Sequence, residues 1–119
     1  MDNDERINFI ECYVRVLTRA WCDTHFCEEL KRDPVVVLTG IGMRIHDDAR
    51  VSVVRLPSQE PDLEFQAGLW EEGERSGHFV LQIPALDLRE LSEEQLGELV
   101  GGSGADMDLY RRLVRRLFR

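Results

Sequence analysis

Residues 7–32, INFIECYVRVLTRAWCDTHFCEELKR, are the stretch of the chain that most strongly constrains the fold. Four of its apolar residues recur at positions i, i+4, i+7 and i+11: Ile10, Val14, Leu17 and Trp21. Neighbouring apolar residues widen this stripe, and a broad apolar stripe is typical of a helix that packs on a core. Because the residue before a proline avoids helical geometry, the helix is expected to end at Asp33-Pro34. The segment therefore predicts one long helix whose apolar stripe packs on the core of the domain.

Short apolar segments follow the predicted helix. Residues 51–56 and 79–83 have the composition of strands, and residues 63–70 alternate apolar and polar side chains as a strand does. Residues 71–77 are expected to form an acidic turn, whereas residues 35–38 fit either a helical turn or a strand. The predicted fold class is α+β, with the long N-terminal helix packed on a small antiparallel sheet.

Composition sets the class of protein. The chain has 119 residues, which is the size of one domain, and 43% of them are hydrophobic, as in a globular protein. No apolar run approaches the roughly 20 residues of a membrane span, and the acidic N-terminus is unlike a secretory signal. We therefore expect a cytoplasmic protein. The net charge of −8 argues against nucleic acid as the partner, because phosphate binding needs clustered basic residues.

The negative charge is unevenly distributed along the chain. Residues 1–102 contain ten basic and 21 acidic side chains, which gives a net charge of −11. Residues 103–119 contain five arginines and two aspartates, which gives a net charge of +3. A break in charge of this kind favours two functional parts. The predicted domains are accordingly residues 1–102 and a cationic tail, residues 103–119.

The tail has the pattern of an amphipathic helix. At about 100° per residue, one side of the helix is apolar and the other carries all the arginines. The apolar side comprises Leu109, Tyr110, Leu113, Val114, Leu117 and Phe118. The basic side comprises Arg111, Arg112, Arg115, Arg116 and Arg119. This pattern fits either a final helix that docks on the domain or a cationic peptide that binds anionic membranes.

No catalytic or metal-binding constellation is evident in the sequence. Cys22, His25 and Cys27 lie close together, but on one helix Cys27 would point about 140° away from Cys22. The three histidines are too scattered to form a triad with a serine or cysteine, and no glycine-rich phosphate loop is present. We therefore expect a protein that is not an enzyme and has neither a cofactor nor a metal.

Residues 91–102, LSEEQLGELVGG, have the features of a short helix that ends in two glycines. Ser92 is a good N-cap with Gln95 three residues later, and glycine supplies the left-handed geometry that ends helices. Leu91, Leu96 and Leu99 stand eleven, six and three residues before Gly102. Leu96 and Leu99 share one face of such a helix.

Four patches together resemble a known family. The first is residues 20–23 (AWCD) with Phe26, and the second comprises Asp33, Pro34, Leu38 and Gly40. The other two are residues 78–84 (HFVLQIP) and 91–102. The chain resembles the leader family related to the nitrile hydratase alpha subunit, which supplies long leaders for ribosomally synthesised and post-translationally modified peptides. The metal-binding C-x-x-C-S-C cluster of the hydratase is lacking, so hydratase activity is not implied. Residues 41–77 fit the family poorly.

The resemblance implies a precursor with a double-glycine leader. Cleavage would follow Gly102, with Gly101, Gly102 and Ser103 as the cleavage site. Leu91, Leu96 and Leu99 would dock in the cysteine peptidase domain of an ABC exporter. One or more maturation enzymes would act first, and the exported peptide would then meet an anionic membrane. The alternative is a stand-alone interaction protein of the same fold, whose C-terminal helix is a permanent packing or dimer element.

Overall fold

The computed structural model describes residues 2–85 and 106–117, and in the last helix it describes the side chains of residues 110–115. Its elements, in chain order, are helices α1 (Asn3–Cys22), α2 (Thr24–Arg32) and α3 (Pro34–Ile41), strand β1 (Arg50–Leu56), helix α4 (Leu63–Ser76), strand β2 (His78–Pro84) and helix α5 (Asp106–Leu117). The predicted combination of helices with a small sheet is confirmed, but several of the predicted elements are wrong.

The predicted long helix is two helices that meet at Asp23. This residue has an extended backbone, with φ −138° and ψ 109°, so it ends α1 and begins α2. Its carboxylate accepts hydrogen bonds from the backbone N–H groups of His25 and Phe26, at 2.9 and 3.3 Å. An aspartate at an N-cap satisfies N–H groups that have no partner within the helix. The apolar stripe continued across this break, which is why periodicity predicted one helix.

Helix α3 settles the alternative that the sequence left open at residues 35–38. Pro34 occupies the first turn, where its missing N–H costs nothing. Gly42 ends the helix with a backbone φ of 117°, which residues other than glycine rarely adopt. The segment is therefore helical.

The sheet is parallel, so the predicted antiparallel sheet is wrong. Strands β1 and β2 pair in parallel from Arg50 with His78 to Leu56 with Pro84. The chain returns to the start of the sheet through α4, which occupies the predicted middle strand and acidic turn. Parallel neighbours need such a crossover, whereas antiparallel neighbours need only a hairpin. Residues 51–56 and 79–83 are strands, as predicted.

The core lies between the inner face of the sheet and helices α1 and α4. A chain of aromatic contacts runs through it, with ring centroids 5.2 Å apart for Phe9 and Trp70 and 4.5 Å apart for Trp70 and Phe79. Gly73 permits the close approach of α4 to β2, because a Cβ there would meet the Phe79 ring and lie 3.0 Å from the Phe79 Cα. This packing fixes α4 across the two strands.

Candidate functional site

The predicted processing residues lie outside the described part of the chain. These are Gly101, Gly102 and Ser103 at the cleavage site and Leu91, Leu96 and Leu99 in the segment before it. The predicted helix before the two glycines lies outside it as well, as do Phe118 and Arg119. Of the predicted site residues, those that the structure describes lie on α5, where it docks on the domain.

Helix α5 packs mainly on α1, and its two faces differ as the sequence predicts. Tyr110 is 7% exposed and Leu113 is fully buried, whereas Val114 is half-buried. The arginines described on this helix, Arg111, Arg112 and Arg115, are all exposed. Three more of the predicted face residues lie on α5 with side chains outside the described set: Leu109, Arg116 and Leu117.

Trp21, near the end of α1, joins the docked helix to the sheet. Its ring stacks on Tyr110 with centroids 6.0 Å apart and planes 11° apart. Its indole N–H donates to the backbone oxygen of Pro84, at 2.9 Å, where β2 ends. One side chain thus contacts both α5 and the last residue of β2, before the link to α5 begins. A buried tryptophan usually needs such a partner for its N–H.

The environment of Tyr110 is apolar and close to negative charge. Burial raises the pKa of Tyr110 to about 12, and the Glu60 carboxylate adds to the shift. Burial also raises the pKa of Tyr13 on α1 well above its usual value, and its hydroxyl donates to the backbone oxygen of Gln82. Both phenols are therefore protonated at neutral pH, and Tyr13 serves as a hydrogen-bond donor.

An acidic groove lies at the other end of α1. It encloses about 430 Å³ and is lined by Asp4, Glu5, Asn8, Phe9, Gly42, Met43, Arg44, Trp70 and Glu74. Helix α1 has 20 residues and is about 30 Å long, and Trp21 lies in its last turn. Docking of α5 at Trp21 therefore leaves the groove free.

The cysteines are separated by the break between the first two helices. Cys12 is buried, Cys22 is exposed at the end of α1, and Cys27 is partly buried on α2. The Cys27 sulfur accepts a hydrogen bond from the Arg55 guanidinium at 2.9 Å. Within residues 2–85 and 106–117, no group of three His, Cys, Asp or Glu side chains is placed to hold a metal ion.

One serine–histidine pair was missed by the sequence reasoning. Ser52 and His78 occupy neighbouring strands, and Ser52 Oγ lies 2.6 Å from His78 Nε2. The parallel register places residue 52 opposite residue 80, so the two side chains meet diagonally on one face of the sheet. A catalytic pair needs a third group to orient the histidine, and the described residues supply none. We interpret this contact as a structural hydrogen bond between the side chains of two neighbouring strands.

Among the described residues, the docked helix and the groove are two surfaces with a distinct chemistry. In the described part of the chain, no helix combines the length and apolar character that a membrane span requires. No protein-family model, curated protein or solved structure matches the chain. Any functional conclusion therefore rests on the residues themselves.

Proposed function

We propose that the chain is a precursor in which residues 1–102 are a folded leader and residues 103–119 are a cationic peptide. The observation that carries this proposal is that residues 1–102, which end in Gly101-Gly102, have a net charge of −11, whereas the 17 residues after them have a net charge of +3. The leucine spacing of a double-glycine leader ends at the same two glycines. Charge and motif are independent properties of the sequence, and the last acidic residue, Asp108, lies only six residues after the double glycine.

The position of α5 gives the leader a second role, which is to cover the apolar side of the peptide. Tyr110 and Leu113 are buried against the domain, while the arginines described beside them face solvent. An exposed amphipathic helix of this charge would bind anionic membranes through its apolar side. In the uncleaved chain the described residues of this apolar side are buried or half-buried, so the precursor would be inactive towards a membrane.

The connectivity of the chain suits release by a single cut. Strand β2 ends at Pro84, where the Ala85 N–H still donates to the Leu56 oxygen at 3.0 Å. Helix α5 begins at Asp106, and a cut after Gly102 would leave it held by non-covalent contacts alone. A helix of 12 residues is marginal in water. The cut peptide is therefore expected to dissociate and unfold until a membrane orders it.

The proposed partners follow from this sequence of events. A maturation enzyme would act on the tail while the leader is attached, and the peptidase domain of an ABC exporter would then cut and export it. The proposal assigns no catalytic activity, cofactor or metal to the chain itself. The precursor would reside in the cytoplasm, and the released peptide would act outside the cell.

The experiment is incubation of the full chain with a double-glycine peptidase domain, followed by mass spectrometry. We expect the Gly102–Ser103 bond to be cut, and Leu96→Ala with Leu99→Ala to slow the cut by at least tenfold. Val36→Ala is the matched control, because Val36 is 65% exposed on α3, far along the chain from the motif. Failure to cut this bond, while a known leader is cut, would contradict the proposal.

A second candidate function is favoured by the depth at which α5 is buried. Leu113 is fully buried, which is also what a permanent structural helix would show. In that case the chain is a stand-alone interaction protein, and truncation after Gly102 would lower its melting temperature by several degrees or make it insoluble. A truncated domain that keeps its melting temperature would exclude this candidate.

A further inference from the structure

The two edges of the sheet differ in a way that the proposed function does not explain. In a parallel pair, alternate residues direct their backbone N–H and C=O groups towards the partner strand. The Arg50 N–H donates to the Gly77 oxygen at 2.9 Å, and the Leu56 oxygen accepts from Ala85. Residues 51, 53 and 55 therefore direct their backbone groups away from β2. Residues 78, 80, 82 and 84 direct theirs away from β1.

The outer edge of β2 is closed by side chains. The buried amide of Gln66, on α4, donates to the Val80 oxygen at 2.7 Å and accepts from the Gln82 N–H at 2.9 Å. Tyr13 donates to the Gln82 oxygen, and Trp21 donates to the Pro84 oxygen. A glutamine in this position takes the place of the peptide group of a neighbouring strand.

The remaining groups of the β2 edge follow the same pattern. The Ser76 hydroxyl accepts from the His78 N–H at 3.2 Å and lies 3.4 Å from the His78 oxygen. Pro84 has no N–H to satisfy. Among the groups of this edge, only the Val80 N–H lacks a partner in the described residues. No further strand can therefore pair with β2.

The outer edge of β1 is open. The outward N–H and C=O groups of Val51, Val53 and Arg55 have no hydrogen-bond partner among the residues that the structure describes. Val51 and Val53 are partly buried and Arg55 is exposed. Unpaired groups on an edge strand are a template for another strand.

The charge along this edge is opposite to that of the chain as a whole. Arg50 and Arg55 are exposed, and neither forms an ion pair with a described carboxylate, although the Arg55 guanidinium also donates to the Cys27 sulfur. Residues 49–59 contain no acidic side chain, although the first 102 residues have a net charge of −11. An extended segment with acidic residues near its ends would meet an arginine at each end of β1.

We propose that β1 is a docking edge for an extended acidic segment of a partner protein, which adds to the sheet as a third strand. The outward groups of Val51, Val53 and Arg55 supply the main-chain hydrogen bonds, and the two arginines select acidic residues. A second copy of the chain is a poorer occupant, because an edge about 23 Å long and one strand wide is small for a stable dimer. The inference does not depend on cleavage at Gly102, since β1 lies within the domain.

The test uses two synthetic peptides and the full chain in nuclear magnetic resonance titrations. Both peptides have eight residues of valine and threonine, except at two positions that lie five residues apart, as Arg50 and Arg55 do. One peptide has glutamate at these two positions and the other has lysine. We expect the glutamate peptide to protect the amides of Val51, Val53 and Arg55 from exchange. We expect it to bind at least tenfold more tightly than the lysine peptide and to weaken as salt rises. Equal binding of both peptides, or protection elsewhere, would overturn the proposal.

Two pairs of variants distinguish main-chain strand pairing from non-specific binding of the peptide. Val53→Pro removes one outward N–H and should weaken the glutamate peptide at least tenfold, whereas Val53→Ala keeps the N–H and should not. Arg50→Glu should weaken binding severalfold, whereas Arg44→Glu, at an exposed position outside the strand, should not. A wild-type dimer that Val53→Pro dissociates would identify a second copy as the occupant and overturn the acidic partner. The comparison of the two peptides on the wild-type chain tests the proposal even if Val53→Pro does not fold.

Discussion

Replacement of Leu113 by alanine tests whether α5 docks as a separable element. The Leu113 side chain is fully buried on the side of α5 that faces the domain. The change removes about three buried methyl or methylene groups, each worth about 0.8 kcal/mol, so the transfer loss is about 2.4 kcal/mol. Residual cavity terms raise the cost of such substitutions to about 2–5 kcal/mol. If α5 can undock without unfolding the rest of the domain, the substitution lowers the free energy of undocking by this amount. The stability of the remaining fold is then unchanged.

Limited proteolysis with trypsin measures that equilibrium directly. Arg111, Arg112 and Arg115 are exposed but lie in a helix, so cleavage after them requires α5 to open. Cleavage tracks the open population when closing is fast. A loss of about 2–5 kcal/mol should therefore raise the rate of cleavage within α5 by about 30- to 4,000-fold. Val36→Ala, at an exposed site on α3, should leave the rate unchanged.

The distribution of the new cuts decides between the two proposed functions. If α5 is a separable element, cuts within residues 2–85 should stay as slow as in the wild-type chain. If cuts in both regions accelerate together, Leu113 holds the whole core and α5 is a permanent part of the domain. An unchanged rate within α5 would refute the docked position of Leu113.

Three further predictions concern the packing of α4 and the docked tyrosine. Gln66→Met removes both hydrogen bonds to β2 and should lower the free energy of unfolding in urea by about 2–5 kcal/mol, because the strand groups stay buried without partners. Gly73→Ala should lower the free energy of unfolding by about 1–3 kcal/mol, because the added Cβ would meet the Phe79 ring. Gly68→Ala has open space at its Cβ and should raise the free energy of unfolding by about 0.5–1 kcal/mol, measured by the same urea unfolding. Tyr110 should ionise near pH 12 in the intact chain and near its usual value of about 10 in the free peptide, followed by tyrosinate absorbance. Because the folded-state pKa is the higher one, the stability from this group is complete below about pH 10 and is lost as the pH rises through 12.

The sequence predicted the segments whose burial is one-sided and local. Strands β1 and β2 are short runs rich in apolar residues that end at or beside a proline, and both are confirmed. The amphipathic pattern of the tail is confirmed where side chains are described, at residues 110–115. In each of these segments the pattern of apolar residues by itself indicates which side chains are buried, so no knowledge of the packing partners is needed.

Helix α4 was missed because its apolar residues fit two periods. Residues 63–70 alternate as a strand does, yet the buried positions are Gln66, Ala67, Trp70 and Gly73, which follow the spacing of a helix. Two of those four are polar or lack a side chain, so a hydrophobic pattern does not detect them. The Asp62 carboxylate, which accepts from the Phe65 N–H at 3.0 Å, was the available signal for a helix start.

The sheet topology and the docking site depend on contacts between distant segments. Once α4 is a helix, the strand–helix–strand order leads to a parallel pair. The contacts of Trp21 with Tyr110 and Pro84 join residues 63 or more positions apart, which no local pattern encodes. The same is true of the amide of Gln66, whose partners are set by the position of α4 on β2.

The most direct test of the precursor proposal is the intact mass of the chain during incubation with a double-glycine peptidase domain. We expect two products, residues 1–102 and residues 103–119. The smaller product should pass a size filter, because α5 undocks after the cut. An intact Gly102–Ser103 bond, in a mixture where a known double-glycine leader is fully cut, would contradict the proposal.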